Sequence, residues 1–482
     1  MRITTIPQVY RNVSRWREIL ATLSKYGLAD WLSRFDLALG KNWLKSREGQ
    51  SLSSERRECR IRMALEELGP TFIKLGQIMS TRPDVVGASL ANELQKLQAR
   101  VPADPPEAVA ELLELEFGKP HDQVFQTFDA VPVASASIGQ VHKATLPGGE
   151  VVAVKVQHAE IQDRVHVDLD ILAGLAELAE NLPELETYRP VATVGEFQRA
   201  LRRELDFNRE LRHVEEFGRD FEGDESVRVP KPYPELSTDR VLVMEWIAGV
   251  PFSDRDGLQA TGVDLEKVAC SGAELYLEMV FTHGFYHADP HPGNLLLMPD
   301  GAIGLLDYGM VVRLDENLRE NIEDLLMAIV SQDAKRLASV VMRVGTVPAN
   351  LDETALGVEL GDFVAHYGNQ PIERFDLSGA VNEIIDLLRR YGIVQPAPMM
   401  MLLKVLVMLE GTAQGLSPNF CLMEVLQPYQ SRLVSRRLSP ARQLRKAQRL
   451  AYEVEQFAEV VPRRVRDILN QVQSGSFEVH LD

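Results

Sequence analysis

Helical spacing of apolar residues marks both ends of the chain, and short apolar runs bounded by turn residues mark its middle. In residues 1–60, Trp16, Leu20, Leu23, Trp31, Phe35 and Leu39 recur at roughly helical spacing, which predicts amphipathic helices. In Leu68–Asp84, Pro70 suits the first turn of a helix and Pro83 should end it. Lys74 and Gln77 on that helix share a face, and Gly76 lets another element approach closely. Glycine in mid-helix costs up to about 1 kcal/mol relative to alanine, so it asks for a packing or functional reason. Pro102, Pro105 and Pro106 make a joint, followed by a short helix near Pro106–Glu116. Residues 133–146 then read as strand–turn–strand, Pro147-Gly148-Gly149 as a turn, and Glu150–Gln157 as a further strand. The chain is helical from there to Val214, broken at Pro183 and Pro190. Arg240–Gly249 is a buried strand running into a turn, and helices fill Asp264–Gly284. Beyond Met310 the pattern is almost wholly helical. These shifts divide the chain into a helical extension (1–105), a β-rich region with a helical insertion at about 160–195 (106–250), a helical region (251–430) and a basic amphipathic tail (431–482).

Charge sharpens this division. Residues 1–60 carry 12 Lys/Arg against 6 Asp/Glu and residues 431–482 carry 10 against 6, within a chain of net charge −18. The acidic middle speaks against nucleic-acid binding, whereas the basic ends suit either anionic lipid or plain solvation. Residues 431–450 hold seven basic and no acidic side chains, followed by an apolar stripe from Phe457 to Leu469. Cys59, Cys270 and Cys421 lie far apart, which predicts an intracellular, reducing compartment without a disulfide framework. No apolar signal segment opens the chain. The run Met399–Leu409 is interrupted by Lys404 and reads as a buried core helix too short to span a bilayer, so the expected location is cytoplasmic or peripheral to a membrane.

The candidate chemistry centres on His287–Met310. A polar turn carries Asp289 and, five residues on, Asn294. An apolar run, a Pro-Asp-Gly turn and a second apolar run lead to Asp307-Tyr308-Gly309. Strand, turn and strand with an acid at each end is how a kinase-type site holds metal and phosphate. Asp289 would then be the catalytic-loop carboxylate, with Asn294 and Asp307 as magnesium ligands; both offer oxygen, as magnesium demands. Two other readings stand beside this one. Asp and Asn in turns often bond their own backbone, and His287-x-Asp289-x-His291 has the spacing of zinc or iron ligands.

Upstream pieces favour the kinase-type reading. Gly-x-Gly-x-x-Gly-x-Val fits at Ala134, Ala136, Gly139 and Val141, with alanine in the first two glycine places and Ser135, Ser137 and Ile138 between. Ala153-Val-Lys155 follows as the strand lysine that would pair with the α- and β-phosphates. A kinase also needs a helical glutamate for that lysine. In Arg203–Val214, taken as one helix, Asp206 and Glu210 are one turn apart and Glu204 faces elsewhere. Met244, Glu245 and Ile247 would line the edge that meets adenine. No Ala-Pro-Glu closes a peptide-substrate activation segment, and no Walker, dinucleotide, His-Glu-x-x-His or Cys-x-x-Cys motif occurs.

Together, Lys74-Leu-Gly76-Gln77, the Ala-rich loop at 134–139, Glu204-x-Asp206, His287-x-Asp289-x-x-x-x-Asn294 and Asp307-Tyr-Gly resemble the UbiB (ADCK) family of atypical kinases across about residues 60–430. The resemblance implies an α+β, protein-kinase-like two-lobed fold with a small β-sheet N-lobe carrying inserted helices, a helical C-lobe and an N-terminal helical extension. It implies ATP or ADP with Mg2+ and work in or near prenylquinone biosynthesis. It also implies that Lys74 meets the Glu204-x-Asp206 motif, that Glu210 pairs with Lys155, and that the Lys74–Gln77 helix packs over the site. The close approach allowed at Gly76 and the face shared by Lys74 and Gln77 predict that this helix acts as a built-in inhibitor. Three functions remain open: an ATPase or small-molecule or lipid kinase, a protein kinase acting in trans, and an ATP-binding scaffold without required turnover. The expected partners are a prenylquinone-related small molecule or lipid, an anionic membrane surface and other quinone-biosynthesis proteins, with no nucleic acid.

Overall fold

The computed structural model describes residues 13–28, 56–97, 101–180, 189–371 and 375–426. The 431–482 tail, Trp31, Phe35, Leu39 and Pro183 lie outside these residues. Helices α1 (Val13–Lys25), α2 (Arg57–Leu68), α3 (Pro70–Ser80), α4 (Pro83–Val86), α5 (Ala88–Leu94) and α6 (Pro106–Phe117) come first. Pro70 does open α3, but α3 ends at Ser80 and Pro83 starts the next short helix. Strands β1 (Thr127–Phe128), β2 (Ala134–Ser135), β3 (Gly139–Thr145) and β4 (Val151–Gln157) precede α7 (Ile161–Glu180), α8 (Pro190–Glu204) and α9 (Phe207–Asp220).

The expected continuous helix over 203–214 is therefore broken. Glu204 ends α8, and Asp206, in extended conformation, caps α9 by accepting the Asn208 amide at 3.1 Å. A short polar side chain competes with the helix for backbone amides, which is why the chain turns there.

Next come β5 (Val227–Arg228), β6 (Val241–Glu245), β7 (Val250–Pro251), α10 (Arg255–Ala260), α11 (Leu265–Glu278), β8 (Phe285–His287), β9 (Leu295–Leu297), β10 (Ile303–Leu305) and β11 (Val311–Arg313). The remainder is helical: α12 (Glu316–Val330), α13 (Ala334–Val344), α14 (Glu353–Gly368), α15 (Leu377–Arg390) and α16 (Ala397–Leu416). Cys59, Cys270 and Cys421 form no disulfide with one another.

The N-lobe sheet is antiparallel in the order β1-β3-β4-β6, with β2 also on β3. Strand β4 shows why it forms. Val152, Val154 and Val156 are fully buried on one face against Val109, Leu112 and Leu113 of α6. The alternate positions Ala153 and Lys155 face the other way, as the period of two requires. That second face packs with Leu242 and Met244 against Phe72, Leu169, Leu201, Phe207 and Leu211 of the surrounding helices. The terminal helix α1 is fastened to this layer by charge: Arg15 lies 2.7 and 3.0 Å from the two oxygens of the fully buried Asp168 and also donates to the Leu68 carbonyl at 2.7 Å. Helices α12 to α15 form their own apolar core around Leu337, Leu356, Leu360, Phe363 and Leu388.

Helix α16 corrects one expectation. The helix continues past Lys404 and Leu409, through Glu410 and a stretch of mostly small residues, to 20 residues with mean hydropathy 1.4, long and apolar enough to cross a bilayer by length and composition. It packs against α11 and α15, and Met399, Leu402, Val405 and Leu409 are buried there.

Candidate active site

Strand pairing sets the two acidic turns side by side, because His287 at the end of β8 lies opposite Val311 at the start of β11. The His287 ring staples them from below. It is fully buried, and Nε2 stands 2.9 Å from the carbonyl oxygens of both Leu306 and Asp307. Carbonyls only accept, so Nε2 carries the proton and Nδ1 accepts the Asp289 amide at 3.3 Å. His291 instead is exposed and accepts the Gly293 amide at 3.1 Å. The two histidines do not converge, and among the described residues no cluster of three His, Cys, Asp or Glu could hold a metal.

Asn294 donates from Nδ2 to the Asp289 carboxylate at 2.8 Å, which aims that carboxylate into the cavity. Its own backbone carbonyl takes the Leu306 amide at 2.9 Å, tying the turn to the start of the Asp307 segment. Asp307 adopts φ of 50°, a left-handed conformation that aspartate tolerates better than most residues. The next residue holds it there: Tyr308 is fully buried, its hydroxyl donates to Leu305 at 3.2 Å, and its carbonyl accepts from His213 Nδ1 at 2.9 Å.

Lys155 links the lobes. Its ammonium lies 2.8 Å from both Glu210 oxygens and 3.0 Å from Asp307 Oδ1. It also sits 5.3 Å above the Phe207 ring. One cation between two acids leaves the triad net negative, and the two acids respond differently. Lys155 holds Asp307 well below the usual carboxylate range. Burial pushes Glu210 up to about 7, against the pull of Lys155. The Lys155 ammonium is held above its ordinary value by Asp307 and Glu210, which outweigh the cost of its burial.

The loop at 134–139 closes on itself, with the Ala136 amide on the Gly139 carbonyl at 2.8 Å and His158 Nε2 3.0 Å from the Ala136 carbonyl. Neither Ala134 nor Ala136 has positive φ, so this loop has no conformational need of glycine at those places. Gly139 has a different reason to be glycine. A Cβ there would stand 2.4 Å from the Val156 carbonyl oxygen on the adjacent strand.

Helix α3 forms one wall. Lys74 is buried and ion-paired with Glu204. Asp206 is turned away, capping α9 and lying 3.8 Å from Arg212, so only Glu204 of the Glu-x-Asp pair meets the lysine. Gly76 seats α3 against the Leu65, Leu94 and Leu97 side chains. A second wall is α16, which meets α3 where Lys404 donates to the Ser80 hydroxyl at 3.0 Å, and whose Thr412 hydroxyl donates to the Pro290 carbonyl at 2.9 Å, directly beside Asp289.

These walls enclose a cavity of about 780 Å³ into which Lys74, Gln77, Lys155, Glu204, Glu210, Asp289, Asn294, Asp307 and loop residues Ser135–Gly139 all open. Not every expected residue lines it. Ala153 and Met244, register partners across β4 and β6, are buried in the apolar core, as is Ile247. Val141 packs half-buried against the same core, Ala134 stands exposed on β2, and Glu245 faces Arg228 at 3.3 Å. Among the lining residues that no motif flags are Ser80, Lys404 and Thr412. The charge breaking an apolar run at Lys404 was the one available signal.

The oxygen donors fit a hard divalent cation. Asn294 uses its nitrogen on Asp289 and keeps its carbonyl oxygen free, while half-exposed Asp307 uses Oδ1 on Lys155 and on the Gly309 amide at 3.2 Å.

Comparisons with known proteins identify the family and the fold. A family model described as the ABC1 atypical kinase-like domain matches residues 96–341, and one described as the UbiB helical domain matches residues 360–421. An uncharacterized protein of Synechocystis is 32% identical over 480 residues, covering 98% of this chain and 80% of its own length. A probable protein kinase UbiB of Xanthomonas axonopodis pv. citri is 32% identical over 445 residues, covering 90% of this chain and 80% of that protein. Among solved structures, a Mycobacterium tuberculosis protein in complex with erythromycin superposes with TM-score 0.51 at 23% identity, over 73% of this chain and 89% of that one.

Proposed function

The chain belongs to the ABC1/UbiB family of atypical kinase-like proteins, and on that premise we propose that it binds Mg-ATP in the cavity between the loop, α3 and α16 and transfers or hydrolyses the terminal phosphate. The substrate class we infer is water, a small molecule or a lipid in prenylquinone metabolism. The carrying observation is the Lys155 ammonium fixed 2.8 Å from Glu210 and 3.0 Å from Asp307 while Asn294 braces Asp289 in the same cavity. A lysine so held presents positive charge to the α- and β-phosphates without having to find its place. Asp289, aimed by Asn294, can accept the proton of a hydroxyl or water as it attacks. Magnesium, when bound, supplies neutralising charge on the phosphates, and Asn294 and Asp307 are the residues that would hold it.

Helix α3 contributes Lys74, Gln77 and Ser80 to the cavity wall, which narrows the approach for a side chain of another folded protein. That supports a small acceptor over a protein kinase acting in trans. It also supports an inhibitory role for α3, since the helix must loosen for an acceptor to enter. The basic stretch at 431–450 supports peripheral contact with anionic lipid, to be tested by vesicle co-sedimentation at rising salt and after truncation beyond Gln430.

The test of the whole reading is phosphate release from Mg-ATP by purified protein, alone and with quinone-headed lipids in liposomes. Release that rises with the lipid and is lost in Asp289→Asn supports it. Absence of both nucleotide binding and release overturns it, whereas binding with no release under any condition supports a scaffold.

A further inference from the structure

Four lysines line the cavity, and three are matched by acid: Lys96, just beyond α5, is paired with Glu93 at 2.6 Å. Lys74 is paired with Glu204, and Lys155 with Glu210 and Asp307. Lys404, in the middle of α16, makes its hydrogen bond to a neutral group, the Ser80 hydroxyl at 3.0 Å. That hydroxyl is itself spent on the Gln77 carbonyl at 2.6 Å, so its oxygen is turned to accept from the lysine. An ammonium has three donors; two of the Lys404 donors remain for the cavity that it lines together with Asp289, Asn294 and Asp307. Crowding by the surrounding protein lowers the ammonium to about 8, opposed by Asp289 and reinforced by Lys74.

From this placement we infer that Lys404 is a substrate-contacting residue: it binds the terminal phosphate of ATP, from the α16 side, opposite the lysine of β4. The inference rests on the Mg-ATP reading above and adds a residue to it. A half-buried ammonium without a carboxylate partner is stabilised by a polyanion, and the phosphate that must lie nearest Asp289 is the one transferred. No Lys or Arg stands between Asp289 and Asn294. Thr412 fixes α16 to that turn at Pro290, so the lysine and the acid keep a constant separation. The helical domain is thereby part of the active site and not only a support beneath it.

The experiment compares ADP with a non-hydrolysable ATP analogue, each with magnesium, by calorimetry on the full chain. Lys404→Met keeps the length of the side chain and removes the charge. The expected result is ADP affinity within about twofold of wild type and analogue affinity lower by roughly ten- to a hundredfold, the value of one charge-assisted bond. Lys404→Arg should recover most of the loss. Ser80→Ala, which only removes the aiming hydroxyl, should weaken the analogue a few fold and spare ADP; it carries the test if the methionine variant does not fold. Equal loss for both nucleotides, or no loss for either, overturns the inference, as does loss of phosphate-headgroup vesicle binding with both nucleotides unaffected. If wild type binds neither nucleotide, the Mg-ATP reading itself has failed, and the two failures are thus told apart.

Discussion

Removing the Lys74–Glu204 pair should release α3 and speed turnover. Both side chains are mostly shielded, with 8% and 19% exposure, so the contact counts for more than a surface ion pair. A charge-assisted hydrogen bond of this kind is worth about 1.5–3 kcal/mol. Because Glu204 keeps some access to water, the lower figure applies, and about 1.5 kcal/mol shifts a closed-to-open ratio roughly tenfold. The rest of α3 stays anchored by Phe72 and Ile73, each 4% exposed, so the helix should loosen without unfolding the lobe. Lys74 also helps hold Asp307 ionised, so Lys74→Ala alone makes the cavity more negative and weakens a polyanionic ligand. The charge-balanced Lys74→Ala/Glu204→Gln variant separates the two effects. It should turn over ATP about tenfold faster than wild type, and Lys74→Ala alone should gain less. Amide exchange over α3 should quicken in both. Adding Asp289→Asn should abolish turnover in either background. If exchange over α3 quickens while turnover and nucleotide affinity stay at wild-type values, α3 does not gate the site and the reasoning fails.

Three other outcomes follow from the same geometry. Asp289→Asn should lose turnover and keep Mg-nucleotide binding, whereas Asp307→Asn should lose both, since it removes a ligand and a partner of Lys155; wild-type turnover in both variants would remove the kinase-type assignment. Gly139→Ala forces a Cβ to within 2.4 Å of a backbone oxygen that cannot swing aside, so it should cost about 1–3 kcal/mol or more in denaturant titration and disturb nucleotide binding through the β3–β4 pairing. The Glu210 carboxyl is raised from 4.5 to about 7, so its contribution to stability is full below pH 4.5 and is lost as pH rises through 7. The stability of wild type relative to Glu210→Gln, without nucleotide, should therefore fall from pH 4.5 to 8; a relative stability that rises over that range contradicts the placement.

Much of this site was legible in the sequence because its parts carry local signals. The β3–β4 pair, the lysine strand, the Asp289–Asn294 turn and Asp307-Tyr-Gly each combine a strand period with residues whose chemistry is restricted. The helix break at Leu205-Asp206 was not legible, since helix formers continue on both sides and only the cap geometry reveals the turn. It matters, because it separates the acid that meets Lys74 from the acid that caps α9. The adenine-edge residues show a further limit: Met244 and Ala153 belong to the right strands yet face the apolar core, and which face a strand presents depends on neighbours distant in sequence. Lys404 and Ser80 are 324 positions apart, and no local pattern announces that they meet.

That separation has a consequence for how the molecule reaches its working state. Closing Lys155 onto Asp307 spans 152 residues and closing Ser80 onto Lys404 spans 324. Contacts between positions so remote form after local helices and hairpins, because the chain must first give up the freedom of everything between them. The sheet and the α12–α15 core can each assemble from neighbouring segments, whereas the cavity between α3 and α16 can exist only when nearly the whole chain has folded. Refolding followed by amide protection of α12 to α15 and by nucleotide binding should then run on different clocks, with binding competence the last property to appear.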